Sequence, residues 1–285
     1  MYSAQITRTN PTCIVLLLDQ SGSMADPFSG ESGVRKADYV ANVVNHTLHD
    51  IVIRCTKTEE VRNYYHIGLV GYGRHVGSAF VGALANYQLA PIAEVANYPL
   101  SVESRYRRVP DGDGGWLEMP VRFPVWMKPS ADGATPMCEA LGSLKSMLQT
   151  WIEDHPGSFP PTILHLTDGE SSDGDPLNAG KELLGLRTDD GPVLLFNCHI
   201  SSNSRTRVEY PSSISQLPDS LSRTLFQISS ELPAGFLAAA EQLGVKTEPG
   251  SRGFVFNADP SSVVQFYEIG TSLTGMTPHK WMQNE

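Results

Sequence analysis

The sequence predicts an α/β fold in which helices cover both faces of a mostly parallel central sheet. Three observations predict it: short apolar runs recur along the chain, helical segments separate them, and Gly- or Ser-rich loops follow several of them. A strand buried on both sides of a parallel sheet is apolar throughout rather than alternating. Strands that alternate with helices at this spacing are typical of a doubly wound sheet.

In the first half of the chain, the predicted elements are a strand at Thr12–Leu18, a helix from Ala37 to Val52, strands at Tyr65–Val70 and Val76–Val81, and a helix from Met137 to Trp151. The first strand is β-branched and leucine-rich, and both helices carry apolar residues at helical spacing. A glycine-containing turn joins the two later strands, so we expect them to form the one antiparallel edge. Pro136 suits the first turn of its helix, where no amide donor is needed.

In the second half, strands at Thr162–Leu166, Val193–Ile200 and Gly253–Asn257 alternate with helices that run from Asp175 to Leu186, from Pro233 to Leu243 and from Asp259 to Leu273. Asp175 and Asp259 each precede a proline. A capping residue followed by proline is a typical start of a helix. The alternation of the first half therefore continues to the end of the chain.

Two segments interrupt this alternation. Residues 84–130 are rich in Pro, Gly and Tyr and lack helical periodicity, so we expect irregular or short β structure there. Residues 201–223, which are rich in Ser and Pro, predict a second and shorter insertion. Neither segment is long enough for a core of its own. We therefore expect 1–285 to form a single domain with two insertions.

The charge balance excludes some classes of partner. The chain has 21 Lys and Arg against 31 Asp and Glu, a formal net charge of −10. No basic run in it is longer than Arg107-Arg108. Such a chain should repel nucleic-acid phosphate and anionic lipid, so we expect neither nucleic acid nor membrane as a partner.

Apolar and cysteine patterns predict a cytoplasmic location. The first apolar run ends at Asp19 and is too short for a signal-peptide core or a membrane span. The cysteines lie far apart in apolar segments and form no CxxC pair; they are Cys13, Cys55, Cys138 and Cys198. We expect buried free thiols, as in cytosolic proteins.

Hydroxyl and carboxyl side chains follow two of the predicted strands. Asp19, Ser21 and Ser23 stand at alternate positions of a Gly-containing loop after the first strand, and Asp168 follows Thr162–Leu166 in the sequence Thr167-Asp168-Gly169. Thr135 adds a hydroxyl in the turn Gly133-Ala134-Thr135-Pro136. In a doubly wound sheet, ligands bind at the carboxyl ends of strands. These five oxygen donors suit Mg²⁺ or Mn²⁺, whereas the lack of His and Cys disfavours zinc.

The three motifs, in this order, resemble the metal-ion-dependent adhesion site (MIDAS) of von Willebrand factor type A (VWA) domains. The flanking elements match that family from Thr12 to about Leu273, as in a bacterial-type, stand-alone intracellular member. The resemblance implies a Rossmann-like, mostly parallel sheet. It also implies that Ser21 and Ser23 bind the metal through their hydroxyls, that Thr135 binds it when a partner is engaged, and that Asp19 and Asp168 bind it directly or through water.

By the same resemblance, the metal would be Mg²⁺, with Mn²⁺ or Ca²⁺ as alternatives, and would accept an Asp or Glu carboxylate of a partner protein as its sixth ligand. This implies an intracellular adaptor or scaffold and not an enzyme. Its setting would be a signalling, stress-response or AAA+-associated system, with an AAA+ ATPase or a kinase–phosphatase set as candidate partners. The sequence does not select among these settings.

The alternative is a Rossmann-like, metal-dependent hydrolase of the phosphatase type, which also places an Asp after its first strand. Such an enzyme needs a second Asp two residues later, where this chain has Ser21. The segment from Gly71 to Gly77 has one residue too many for a GxGxxG loop, and the chain contains neither a Walker lysine nor a GxSxG motif. These departures disfavour a nucleotide-binding or hydrolytic enzyme.

Other charged residues have structural interpretations beside functional ones. Glu170, Asp173 and Asp175 could form a second cation site or an acidic rim, but a solvated loop with a helix cap at Asp175 is favoured. The run Asp111-Gly112-Asp113-Gly114-Gly115 resembles part of a calcium loop but lacks the later Glu, so a plain loop is favoured.

Histidines and aromatic residues complete the candidates. His46, His49 and Asp50 have nearly metal-like spacing, and a polar helix face is the favoured interpretation. Packing within the first insertion is expected of its aromatic residues, with contact to a partner as the alternative; they are Tyr106, Trp116, Phe123 and Trp126.

Overall fold

The computed structural model describes residues 2–28, 33–110, 112, 115–201 and 206–272. Its strands, in chain order, are β1 (Thr12–Asp19), β2 (Thr56–Lys57), β3 (Glu60–Val61), β4 (Tyr65–Tyr72), β5 (Val76–Ser78), β6 (Ala90–Pro91), β7 (Ser101–Pro110), β8 (Trp116–Val125), β9 (Thr162–Thr167), β10 (Arg187–Thr188), β11 (Gly191–Pro192), β12 (Leu194–Ile200), β13 (Val208–Glu209) and β14 (Phe254–Ala258). The helices are α1 (Lys36–Cys55), α2 (Ile92–Asn97), α3 (Met137–Asp154), α4 (Leu177–Leu184), α5 (Ser220–Gln227), α6 (Ala234–Gln242) and α7 (Pro260–Gly270), with short 3₁₀ turns at Gly22–Ala25, Gly82–Leu84 and Ile214–Gln216.

The central sheet has eight strands in the order β13-β14-β12-β9-β1-β4-β5, with β6 also beside β4. The pairs from β14 through β12, β9 and β1 to β4 are all parallel. The predicted α/β class with a mostly parallel sheet is confirmed. One detail is wrong: β13 and β6 are antiparallel, as β5 is, so antiparallel strands lie at both sides of the sheet. These two strands are only two residues long and leave no apolar run in the sequence.

Helices cover both faces of this sheet. Residues of α1, α2, α6 and α7 share one buried cluster, and residues of α3, α4 and α5 share the other. The strand β1 contributes alternate residues to each: Ile14, Leu16 and Leu18 to the first, and Cys13, Val15 and Leu17 to the second. Because neither face of β1 meets water, its sequence is apolar from Cys13 to Leu18. Among the described residues, no helix is both long and apolar enough to cross a membrane.

The first insertion, expected to hold irregular or short β structure, contains longer strands, and the second contains a helix. Within 84–130 the chain forms α2 and a hairpin of two ten-residue strands, β7 and β8, which lies outside the central sheet. Within 201–223 the helix α5 begins after Asp219, whose Oδ1 accepts a hydrogen bond from Ser222 N at 2.8 Å. Asp219 and Ser222 form a reciprocal capping box, a start signal that the Ser- and Pro-rich composition masked.

The base of the β7–β8 hairpin packs on α1. Phe123 is buried against His46, with ring centroids 4.3 Å apart, and Arg105 donates a hydrogen bond to Asn42 Oδ1 at 2.6 Å. His46 and His49 are therefore partly buried packing residues rather than an open polar helix face. Burial lowers the pKa of His46 to about 4.

The aromatic residues of this region divide into two groups. Phe123 and Trp126 are buried, and Trp126 donates its indole N–H to Val95 O at 2.6 Å. By contrast, Tyr106 is 72% exposed and Trp116 is 57% exposed. Trp126 therefore packs within the insertion and Phe123 packs both on Arg105 of the insertion and on α1, whereas the other pair faces solvent.

All four cysteines are free thiols, as predicted. Cys13, Cys55 and Cys198 are buried, but Cys138 is only partly buried, which corrects the expectation of four buried thiols. Cys138 is the second residue of α3, where its Sγ faces a loop and lies 3.6 Å from Ser171 Oγ.

Candidate functional site

Asp19 is the last residue of β1, at the carboxyl end of the sheet, between β4 and β9. It is 2% exposed; its Oδ1 accepts a hydrogen bond from Ser21 N at 2.9 Å and its Oδ2 accepts one from Thr167 Oγ1 at 2.8 Å. Burial raises the pKa of Asp19; the hydrogen bonds from Ser21 oppose this effect, and the nearby charge of Asp168 adds to it. Among the described residues, no Lys, Arg or His forms an ion pair with Asp19. Asp19 is thus a buried carboxylate without a cationic partner.

The serine hydroxyls connect this loop to Asp168. Ser21 is buried and Ser23 is exposed, and their Oγ atoms lie 3.1 Å apart. Ser23 Oγ then donates a hydrogen bond to Asp168 Oδ1 at 2.7 Å. Four of the residues singled out from the sequence therefore meet at one point, with Ser23 on the solvent side.

Thr135 lies beside this group but outside its contacts. The loop after β1 is held by the segment before α3: Gln20 O accepts a hydrogen bond from Asp132 N at 2.7 Å, and Gly133 O accepts one from Gly22 N at 3.0 Å. Thr135, two residues later, donates its backbone N–H to Ser172 Oγ at 3.0 Å. Within the described chain, the Thr135 hydroxyl is not part of the hydrogen bonds that link the other four residues.

Two glycines allow these loops to approach one another. A Cβ built on Gly133 would lie 2.4 Å from Arg74 N, and Gly133 has a φ of +88°, which disfavours any residue with a side chain. A Cβ on Gly73 would lie 2.6 Å from Asp132 O and 2.7 Å from Gln20 O. The ends of β1 and β4 and the segment before α3 thus touch backbone to backbone, and the position of Thr135 depends on that contact.

Lys36 also belongs to this group, although nothing in the sequence pattern singled it out. It is the first residue of α1 and only 3% exposed. Its Nζ lies 2.6 Å from Asp168 Oδ2 and 3.2 Å from Ser23 O. A lysine after a polar loop ordinarily indicates a solvated helix start, and Asp168 is 132 residues away in the chain. Only the three-dimensional fold reveals this pair.

The acidic residues after β9 mostly cap helices. Asp173 accepts hydrogen bonds from the backbone N–H groups of Cys138 and Glu139, at 3.0 and 2.8 Å, and so caps α3. Partial burial raises the pKa of Asp173. The hydrogen bonds that its carboxylate accepts from Ser171, Glu139 and Cys138 together outweigh this effect and lower the pKa below its ordinary value. Asp175 accepts from Leu177 N at the start of α4, and Glu170 is exposed. This geometry agrees with the loop-and-cap interpretation. Asp111 and Asp113 lie outside the described residues.

The donor set fits a hard divalent cation. Its atoms are the carboxylates of Asp19 and Asp168 and the hydroxyls of Ser21 and Ser23, all oxygens of the kind that Mg²⁺ and Mn²⁺ prefer. One of the two carboxylates, Asp168, already has a cationic partner in Lys36. The other, Asp19, is buried without one, which is the electrostatic condition that a bound cation relieves.

Comparison with known proteins gives structural likenesses alone. No protein-family model matches the chain, and no curated protein matches it. The vWF domain of the type V pili tip protein Mfa5 from Porphyromonas gingivalis is 13% identical, covers 56% of this chain and 38% of that chain, and has a TM-score of 0.32. The manganese-loaded TRAP protein of Plasmodium vivax is 13% identical, with coverage of 90% and 72% and a TM-score of 0.39. The PilB minor pilin from Streptococcus sanguinis is 12% identical, with coverage of 94% and 60% and a TM-score of 0.43. At these values, no function transfers from these proteins to this chain.

Proposed function

We propose that this chain is a VWA-type interaction domain that holds a divalent cation in a MIDAS and uses it to bind a carboxylate of a partner protein. One observation supports the proposal above all others: Asp19, Ser21, Ser23 and Asp168 meet through contacts of 2.7–3.1 Å at the carboxyl ends of two adjacent parallel strands. The motif order along the chain supports the same assignment. In this proposal the protein is not an enzyme.

In the proposed site, Ser21 and Ser23 hold the cation through their hydroxyls, and Asp19 and Asp168 hold it directly or through water. Thr135 joins when a partner arrives; in the present structure its backbone N–H is bonded to Ser172, and its hydroxyl takes no part in the contacts that link the other four residues. When bound, the cation supplies a Lewis-acidic centre that accepts an Asp or Glu side chain. Because few of its ligands are charged, such an ion remains electron-poor, so an anionic ligand completes its coordination.

The setting belongs to the proposal as well. We propose an intracellular adaptor or scaffold whose partner is an AAA+ ATPase or a member of a kinase–phosphatase system. A net charge of −10 supports selectivity, because a negative surface repels acidic chains except where the cation can be reached. A hydrolase of the phosphatase type is disfavoured because Ser21 stands where that chemistry needs a second Asp.

Metal binding is the first experiment. Manganese titration followed by the electron paramagnetic resonance of free Mn²⁺ should show one bound ion per chain. Asp19→Ala, and Ser21→Ala combined with Ser23→Ala, should each abolish binding. Ser143→Ala, an exposed serine of α3, is the matched control and should bind as the wild type does. Wild-type binding that survives in both site variants would refute the assignment of these residues.

Partner capture is the second experiment. Magnesium should support capture of the partner by the purified chain, and EDTA should abolish it. Once the partner is isolated, the Asp19→Ala variant should fail to bind it in either condition. Equal binding by wild type and variant, with and without EDTA, would refute the metal-dependent mechanism.

A further inference from the structure

A buried lysine occupies the candidate site from the side of α1. Lysine is rarely this buried unless it is paired, and each oxygen near its Nζ belongs to the site or its loop: Asp168 Oδ2 at 2.6 Å, Ser23 O at 3.2 Å and Asp26 Oδ2 at 3.8 Å. The Asp168 side chain is fully buried. The ammonium of Lys36 is therefore an integral charge of the site and not a surface charge beside it.

The two oxygens of Asp168 have different partners. Oδ1 accepts the hydrogen bond from Ser23 Oγ at 2.7 Å, whereas Oδ2 accepts the one from Lys36 Nζ at 2.6 Å. The oxygen that faces the serine hydroxyls is thus not the oxygen that holds the lysine. A cation held by the serines would share Asp168 with Lys36 without having to expel it.

We infer that Lys36 is a built-in counter-cation that sets the net charge of the site and so makes its metal depend on an acidic ligand. The inference rests on the proposed function. The buried side chains of Asp19, Asp168 and Lys36 carry formal charges of −1, −1 and +1, so a divalent ion brings them to +1; without Lys36 they would reach zero. Asp26 Oδ2 also lies 3.8 Å from Lys36 Nζ, but its side chain is 61% exposed, so water screens its charge. A site left at +1 binds the free ion weakly and gains from a carboxylate that neutralises it.

A purely structural ion pair makes a different prediction. If Lys36 only orients Asp168, removing it disorders a ligand and weakens metal binding. If Lys36 sets the charge, removing it takes away a repulsion and tightens metal binding. The sign of the change in affinity therefore separates the two roles.

The test uses three substitutions. Lys36→Gln keeps a hydrogen-bond donor toward Asp168 and loses the charge; Lys36→Arg keeps the charge. Lys145→Gln removes a lysine of similar type from a surface pair with Glu182 and serves as the control. Dissociation constants for Mn²⁺ are measured at fixed ionic strength, with and without acetate as a model carboxylate, on variants whose circular dichroism matches that of the wild type.

We expect Lys36→Gln to bind Mn²⁺ about tenfold more tightly than wild type, since one nearby unit charge is removed from a poorly solvated site. Lys36→Arg and Lys145→Gln should stay near the wild-type value. Acetate should tighten binding in the wild type more than in Lys36→Gln. Metal should also raise the thermal midpoint of Lys36→Gln more than that of the wild type, because it replaces the lost partner of a buried carboxylate.

The outcomes distinguish this inference from the proposed function. If neither the wild type nor Lys36→Gln binds Mn²⁺, the proposed function fails. If the wild type binds and Lys36→Gln binds equally or more weakly, only the role of Lys36 is overturned. Lys36→Met, which keeps the apolar stem, replaces Lys36→Gln if the latter does not fold. If neither variant folds, a wild-type affinity that acetate does not change overturns the inference.

Discussion

Replacing Gly133 with alanine should destabilise the fold and weaken metal binding together. Gly133 has a φ of +88°, and its carbonyl accepts the hydrogen bond from Gly22 N in the loop that carries Ser21 and Ser23. A Cβ at this position would lie 2.4 Å from Arg74 N and 2.5 Å from Arg74 Cα. Both are backbone atoms, so no side-chain rotation relieves the clash. The loops at the site must move apart.

The cost has two parts. An L-residue in the left-handed region costs about 1–2 kcal/mol relative to glycine, and forcing packed backbone apart adds about 1–2 kcal/mol. We therefore expect Gly133→Ala to lower the free energy of unfolding by about 2–4 kcal/mol. Gly142, which is exposed within α3, is the matched control, and its substitution should change the free energy of unfolding in the opposite direction. A Cβ built on Gly142 meets nothing within 4 Å. Gly142→Ala should raise the free energy of unfolding by about 0.5–1 kcal/mol.

Urea denaturation followed by circular dichroism measures both changes under identical conditions. Manganese titration of the same samples then measures the site. Gly133→Ala should lose affinity for Mn²⁺, whereas Gly142→Ala should keep the wild-type affinity. A Gly133→Ala protein at least as stable as the wild type would refute the claim that the loops meet at this glycine.

Three further predictions concern other parts of the molecule. Burial lowers the pKa of His165 to about 4 in the native state, so the unfolded chain binds more protons as the pH falls from about 6.5 to about 4. His165 alone should contribute a loss of about 3 kcal/mol of stability across that window. Urea titrations should therefore show a smaller loss in His165→Gln than in the wild type, and an equal loss would contradict this. Asn45 Oδ1 accepts hydrogen bonds from the buried N–H groups of Trp126 and Met127. Asn45→Ala should therefore lower the free energy of unfolding, measured by urea titration, by about 2–4 kcal/mol, and Asn42→Ala should lower it much less. Equal losses would contradict the assigned contacts. Because Cys138 is partly buried and the other three cysteines are buried, a thiol reagent should label Cys138 alone in the native protein. The Cys138→Ser variant should not be labelled in the native state. Labelling that persists in this variant would show that another cysteine is accessible.

The central sheet could be predicted from sequence because its strands are buried on both faces. The apolar runs at β1, β4, β9, β12 and β14 are strands that helices cover on both faces, so the pattern reports their environment directly. The run predicted at Val76–Val81 forms only the short and partly exposed strand Val76–Ser78. The short strands β6 and β13 could not be predicted because two residues carry no periodicity. The hairpin had a usable signal: Leu117, Met119, Val121, Phe123 and Val125 alternate along β8. The arginines of β7 and the glycine-rich sequence between the two strands obscured this alternation.

The candidate site was predictable where its residues are neighbours in sequence or lie at strand ends. Because β1 and β9 are parallel neighbours, Asp19 and Asp168 lie at the same end of the sheet. Motifs that directly follow these two strands in the sequence can therefore be expected to lie close together in space. Lys36 was not predictable, because its partner is distant in the chain and its position looks like an ordinary helix start. Gly73 and Gly133 were not predictable as contact points either, since their role depends on how closely two loops pass.

Anomalous diffraction from crystals soaked in manganese tests the central claim most directly. We predict one peak at the end of β1, in contact with the Oγ atoms of Ser21 and Ser23 and close to Asp168, and no peak there in Asp19→Ala crystals. Manganese bound elsewhere, or a wild-type site that stays empty at saturating manganese, would contradict the account.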